Sequence, residues 1–527
     1  MISNNRTNYL FISGGCVIIT LSYLLTEYII TGQHFGVPLD DVWIHFRYAE
    51  NFSQGHLFEY NVGEPTPGTS SPLWVILISI SFLLRLDPIV FSIALSSLFF
   101  LLTCFETYRL SLRLELSRNF SLMAAMLVVF AGRLAWSSLS GMEITLFCWL
   151  TLFAANLHLE EVKQNQVNLL TGLVFGLASV TRPEGVLLAM IYFGITLLQA
   201  KGGPAQVPPN TQPKVRRLIL SIIIFLFIIL PYGVFSYLHT GSFLPNTFKG
   251  QGGEFRLIPD ITFLRGTGKL FFKDNVIILI LWFTAMGIFI RSLIRGALER
   301  NFLLINLWII LLPMASSVLT PNWRHHGRYL IPLIPFVIIA SLHVVQRFKD
   351  KIPQAVFKSG MVVMVLLTLV STVVYGRALG WNVENINHQQ VKVAEWLNQS
   401  LPEEKVFGMN DIGAIGFITK KKVVDMAGLV NPAVFQFQKM PEPEGTKNLL
   451  KLLKVSGVNY IIIYPHWYQY LTSHYADALE KIYSARLAYN TICGGDEAVV
   501  YKIKWDLISF HADSISTSII PNPRNLR

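Results

Sequence analysis

Residues 40–74 read DDVWIHFRYAENFSQGHLFEYNVGEPTPGTSSPLW. The stretch follows the first long apolar run of the chain. It is too polar to cross a bilayer and too aromatic for an idle linker. It opens on two adjacent carboxylates, Asp40 and Asp41. Ionisable groups at the mouth of a transmembrane bundle are costly and mark reaction or transport sites. In a partly desolvated cavity, mutual repulsion raises one pKa and leaves a base able to take a proton near neutral pH. A solvated loop acid or a helix N-cap is the plain alternative. As a helix on the membrane surface, DVWIHFRYAENF places Ile44, Tyr48 and Phe52 on one face, with Trp43, Phe46 and Arg47 on neighbouring ones.

The flanking chain sets the class. Of 527 residues, 52% are hydrophobic and only 14% charged, and the mean hydropathy is +0.47; soluble domains carry about a quarter charged residues. Apolar runs recur near 9–31, 88–105, 120–133, 143–158, 168–181, 185–200, 218–238, 275–291, 302–319, 329–345 and 359–376. The expected fold is a polytopic α-helical membrane protein with about eleven crossings, since lipid cannot satisfy open backbone groups. The first run has no small-x-small cleavage site and is expected to be a retained span rather than a signal peptide. The run at 72–84 is expected to be interfacial or partly inserted. Then the Arg109–Arg118 loop, the linker 201–217, RSLIRGALER and QRFKDK all fall on one side, N-terminus in and C-terminus out. The net charge of +11 follows from such loops and needs no nucleic acid partner. Cys16, Cys104 and Cys148 lie in apolar runs and Cys493 stands alone, so no disulfide framework is expected.

Domain boundaries are expected at 1–380 for the membrane part with its outer loop 32–71, 381–510 for an extracytoplasmic α/β domain, and 511–527 for a tail. VKVAEWLNQSL, TKNLLKLLKVSG and the run around HYADALEKIYS predict helices. EEKVFGMND, VNYIIIYP and DEAVVYKIKW predict strands, and GAIGF with DMAGLVNP predict packing turns.

The orientation leaves several cations outside, near span ends and against the usual bias, which points to an anionic ligand at the outer surface. PNWRHHGRYLIPLIP (321–335) groups Arg324, His325, His326 and Arg328. Guanidinium forks match phosphate oxygens, and snorkelling helix-end cations are the alternative. TRPEG (181–185) turns between spans, its Pro183 and Gly185 explaining the turn but not Arg182 and Glu184. Either an ion pair stabilising the turn or ligand binding explains those. The adjacent histidines diverge by about 100° on a helix, so no metal site is expected.

The acidic pair, the continuation FRYAENFSQGHLFEYNVGEPTPGTSSPLW, then GMEITLF (141–147), TRPEG and GRYLIPLIP (327–335) together resemble membrane glycosyltransferases of the GT-C type. The likeness is to the bacterial branch that includes the mycobacterial terminal arabinofuranosyltransferase, with protein O-mannosyltransferases and the lipid A aminoarabinose transferase more distant. The resemblance implies transfer of a sugar from a polyprenyl-phosphate donor to an envelope glycan, lipid or protein on the outer face of a bacterial plasma membrane. It matches the first-loop catalytic acid to Asp40 or Asp41. Donor-phosphate contacts fall on Arg182, Arg324, His325 or Arg328, and substrate contacts on Arg47, Tyr48, Glu143 and Glu184. No cofactor is expected beyond the lipid-linked substrate. A membrane carrier and a noncatalytic envelope-assembly scaffold are the rival readings, against which stand the lack of inverted repeats and the outer α/β domain.

The topology is directly measurable. A reporter fused after residue 400 is expected to be active only outside the cytoplasm, and a cytoplasmic signal there overturns the map.

Overall fold

The computed structural model describes residues 2–201, 212–250, 256–296 and 299–510. The expected tail 511–527 and most of the linker 201–217 lie outside the described residues. Seven described helices are long and apolar enough to cross a membrane: Arg6–Ile30, Pro88–Arg113, Lys214–Thr240, Ile261–Ile294, Arg300–Leu319, Arg324–Lys351 and Gln354–Ser400. The pair Arg118–Val129 and Gly132–Ser138, bent by 61°, makes an eighth if taken as one broken span. The other three expected crossings are also helical, but shorter or more polar. Leu169–Thr181 has 13 residues and Glu184–Lys201 has 18, while Ile144–Gln164 carries Asn156, His158, Glu160 and Glu161 in its second half. Pro72–Leu83 has 12 residues, so it rises only about 18 Å against a hydrocarbon thickness of about 30 Å.

The chain divides into two compact units. The first comprises Met1–His34, Ile89–Pro231 and Glu254–Gly380; the second comprises Phe35–Pro88, Tyr232–Gly253 and Trp381–Arg527. The sequence reading attached the loop 32–71 to the membrane part, whereas most of it falls in the same unit as the C-terminal sheet.

In the first unit, small residues let helices meet at backbone distance, the usual solution where lipid supplies no hydrophobic drive between helices. A side chain at Gly172 would collide with the backbone of Ser221, and one at Gly132 with that of Ser371. Polar side chains pin the same contacts: the Tyr23 hydroxyl donates to the Thr372 carbonyl (2.6 Å), and Thr145 Oγ1 to that of Ser96 (2.8 Å).

In the second unit, a small hairpin pairs β1 (Glu59–Asn61) with β2 (Glu64–Pro65). Five further strands form one sheet: β3 (Val406–Met409), β4 (Lys422–Asp425), β5 (Tyr460–Ile463), β6 (Leu479–Arg486) and β7 (Glu497–Ile503), in the order β4-β3-β5-β7-β6. β3 runs parallel to β4 and β5, and β7 antiparallel to β5 and β6. The helix Glu444–Val455 buries Leu449, Leu450 and Leu453 in the core that also holds Ile461 and Ile463 of β5. Two local readings are corrected. The run around HYADALEKIYS (474–484) is helical only over Gln469–His474, mostly ahead of the quoted stretch, and in a short turn at Ala476–Ala478, after which LEKIYSAR becomes β6. Pairing along seven residues of β7 outweighs the local helical pattern. KVVD, passed over beside the glycine-rich turns, is β4.

β4 lies at the sheet edge, where unpaired backbone groups invite aggregation. Asn61 closes part of it: its Nδ2 donates to the Val423 carbonyl (2.9 Å) and its Oδ1 accepts from Val423 N (3.0 Å). At the end of β4, the fully buried Asp425 carboxylate accepts from the backbone N–H of Ala427 (2.7 Å) and Val430 (2.8 Å), organising the DMAGLVNP turn. Asp425→Ala strands those donors in the interior, so a loss of about 3 kcal/mol is expected. It should register as a lower melting temperature, while Glu403→Ala at an exposed turn leaves melting unchanged.

Candidate active site

The acidic pair starts a helix, Asp40–Ser53. Acids in a first turn complement the helix dipole, yet Asp40 is committed elsewhere. Its Oδ2 accepts from Gly413 N and its Oδ1 from Ala414 N, both at 2.8 Å, at the start of the helix Gly413–Thr419. Gly413 is required there, because a Cβ would collide with the Asp40 backbone and carboxylate. Around this joint Trp43, Phe46 and Phe82 pack on Phe417, with ring centroids 5.6, 5.8 and 6.2 Å away.

A third carboxylate completes the group. Asp411 accepts from the Tyr464 hydroxyl (2.5 Å), Gln390 Nε2 (3.0 Å) and Asn410 Nδ2 (3.1 Å). Gln389 and Gln390 reach this network from a π-helical turn, Asn387–Val391, and such turns are frequent at functional sites. Burial pushes the Asp40 carboxyl up to about 8, with the Asp411 charge as the next cause and the two backbone N–H groups opposing. Burial likewise raises Asp411, against its three side-chain donors and with the Asp41 charge reinforcing the rise. In the sequence Asp411 is only the polar end of the predicted strand EEKVFGMND. No local signal marks it, because its relation to Asp40 spans more than 370 residues.

Arg47 and Tyr48, expected to touch substrate, are both buried. Arg47 Nε donates to the Tyr60 carbonyl (3.2 Å), and the Tyr48 hydroxyl to that of Thr66 (3.1 Å). These bonds fix the first loop to its helix.

In the first unit, the structure gathers Arg182, Glu143, Glu184 and Arg328. Arg182 is buried and donates to Glu143 Oε1 (2.7 Å) and Glu184 Oε1 (3.0 Å). The two carboxylates neutralise its charge and leave the trio acidic. Tyr329, which no sequence motif marks, packs against both guanidinium groups: Arg182 stands 4.8 Å and Arg328 5.1 Å from its ring centroid. Arg328 is buried and also donates to the Tyr329 hydroxyl (3.0 Å). Arg324 is exposed, and His325, His326 and Gly327 follow with φ of 53°, 60° and 66°. That left-handed run, costly for non-glycine residues, separates Arg324 from the helical turn that carries Arg328. Arg133, in the same unit, is fully buried and bound to Asp274, its Nε 2.9 Å from both carboxylate oxygens. Among the described residues, no three His, Cys, Asp or Glu side chains are grouped to hold a metal ion.

The helical bundle with its C-terminal sheet has the fold of the GT-C membrane glycosyltransferases. ArnT of Cupriavidus metallidurans bound to undecaprenyl phosphate is 15% identical, with a TM-score of 0.55 over 95% of this chain and 100% of that one. The Archaeoglobus fulgidus oligosaccharyltransferase complexed with zinc and sulfate is 13% identical, with a TM-score of 0.58 over 93% and 73%. AglB of the same organism, with an inhibitory peptide and a dolichol-phosphate, is 11% identical, with a TM-score of 0.55 over 86% and 69%. Residues 384–506 match a family described as a domain of unknown function, DUF8728. A search of curated proteins finds no match.

Raised carboxyl pKa values have a measurable sign. Ionising Asp40 and Asp411 costs more in the folded chain than in the unfolded one. The contribution of Asp40 to stability is therefore complete below the ordinary carboxylate range of about 4 and is lost as pH rises through about 8, and that of Asp411 falls in the same direction. The melting temperature is expected to fall over that interval. In Asp411→Asn, which removes one titrating group and lowers the pKa of the other, the fall should be shallower. An equal slope in both proteins overturns the coupling.

Proposed function

We propose that the chain is a glycosyltransferase that moves a sugar from a polyprenyl-phosphate donor to an envelope glycan, lipid or protein at the outer face of a bacterial plasma membrane. The observation that carries the reading is the acidic pair at the head of Asp40–Ser53, joined by Asp411. The fold and the polyprenyl phosphates named with its structural neighbours support it.

In this reading the two adjacent acids divide the work. Asp40 has an N–H on each oxygen and acts as the positioning residue. Asp41 is the general base. The acceptor hydroxyl attacks the anomeric carbon, its proton passes to the Asp41 carboxylate, and the bond from that carbon to the phosphate oxygen breaks. The polyprenyl phosphate leaves with the bonding electrons, and cationic donors stabilise the charge it gathers.

Among the expected cations, Arg328 takes the donor phosphate, with Tyr329 holding its guanidinium. Arg182 holds Glu143 and Glu184, which face substrate hydroxyls, and the exposed Arg324 and His325 meet the phosphate on entry. Arg47 and Tyr48 shape the first loop. Residues 381–510 form the extracytoplasmic domain that presents Asp411.

Asp41→Asn is expected to slow transfer by about 10²–10⁴-fold while polyprenyl phosphate still binds. Arg328→Ala should weaken that lipid by about 2–3 kcal/mol if the contact is buried. Transfer is read by mass spectrometry of envelope glycans from a deletion strain carrying each variant, and binding by titrating purified protein with polyprenyl phosphate. Wild-type glycans with Asp41→Asn remove the base; unchanged affinity in Arg328→Ala removes the phosphate contact.

A further inference from the structure

A cavity of about 310 Å³ opens where three helices of the first unit end together. Its walls come from the last turns of Ile261–Ile294, the first turns of Arg300–Leu319 and the last turns of Ile334–Phe348. That volume is at the lower end of ligand pockets, which start at about 300 Å³.

The lining is two-faced. The exposed Arg291, Arg295 and Arg347 form its rim, with Glu299 as the one carboxylate among the lining residues. Glu299 is occupied: it pairs with Arg347 (2.9 Å) and lies 3.8 Å from His343. Arg291 and Arg295, four residues apart and so on the same helix face, have no ion-pair partner among the described residues. Like charges at that spacing repel. The helix dipole favours cations at a C-terminus, which explains their sign but not the walls below them. Those walls include Ile288, Phe289, Phe302, Val344 and Phe348. Asn306, 5% exposed, also lines the cavity, and its amide makes no hydrogen bond among the described residues. Its polar atoms are open to the cavity and free to donate there. A phosphate-bearing group at this depth would accept from it.

We infer that this cleft binds an anionic phospholipid, with the headgroup phosphate against Arg291, Arg295 and Asn306 and an acyl chain along the aromatic wall. All three helices belong to segments apolar enough to span a bilayer, so their ends lie at headgroup level. Basic pockets between spans recognise anionic headgroups in this way. The site is separate from the donor-phosphate site proposed above. Arg347 is 19 residues beyond Arg328 in the segment Arg324–Lys351, a rise of about 28 Å at helical pitch and close to one hydrocarbon thickness.

The test uses the purified full chain and two lipids, phosphatidylglycerol and phosphatidylcholine. By native mass spectrometry and melting temperature, phosphatidylglycerol is expected to be retained and stabilising, and phosphatidylcholine neither. The double variant R291Q/R295Q should lose affinity for phosphatidylglycerol by roughly 30-fold, at one rim cation's worth of attraction each. R291K/R295K should keep most of it, and Asn306→Leu should weaken it with the charge intact. Titration with polyprenyl phosphate should be the same in R291Q/R295Q as in the parent chain, which separates this site from the donor site. If the glutamine pair does not fold, Arg295→Gln alone carries the comparison. Equal retention of the two lipids, undiminished phosphatidylglycerol affinity in the variants, or displacement of the lipid by millimolar inorganic phosphate each overturns the proposal.

Discussion

The second unit depends on one carboxylate. Asp40 places an oxygen on each of two successive backbone N–H groups, at Gly413 and Ala414. This ties a segment near the start of the chain to one near residue 410. Bonds to an ionised carboxylate are roughly twice as strong as neutral ones, and here burial opposes that ionisation while the two N–H groups favour it. The same joint brings Phe417 onto Trp43, Phe46 and Phe82. It also brings Asp411 within electrostatic reach of the acidic pair. Asp41 is thereby presented on a fixed helix turn rather than on a free loop.

A different economy governs the first unit. Two of its buried cations are matched before any ligand arrives: Arg133 by Asp274, and Arg182 by Glu143 and Glu184. A buried ion pair seldom adds net stability, but removing one partner is severe because it leaves the other charge uncompensated in the interior. Substitution of Arg182 therefore reports on the integrity of the Glu143–Glu184 cluster as much as on ligand binding. Arg328, stacked on Tyr329, is the cleaner probe of anion recognition.

Much of the architecture was legible in the chain, and the reason is physical. Long apolar runs have few alternatives to helices in lipid, so the seven long spans and the bent pair coincide with the runs read from sequence. The strand VNYIIIYP was legible through its β-branched run. LEKIYSAR was not, because its fate is set by pairing with residues 497–503 and not by its own pattern. The site divides the same way. Asp40 and Asp41 stand out as adjacent acids, and Arg182 as a charge in a tight turn. Asp411, Tyr464 and Tyr329 carry no such mark. Their positions follow from contacts between residues far apart in the chain or, for Tyr329, from a ring shared by two arginines.

Asn61 and Asp40 have a consequence for how the protein can be taken apart. The region shared with the uncharacterised domain family starts at residue 384, so it lacks the side chain that shields β4 and the acid that seats Gly413. Cut out alone, that fragment would present a bare strand margin and an uncovered phenylalanine to solvent. Homology limits drawn from sequence are therefore poor places to sever this polypeptide; residues 35–88 belong in any soluble derivative.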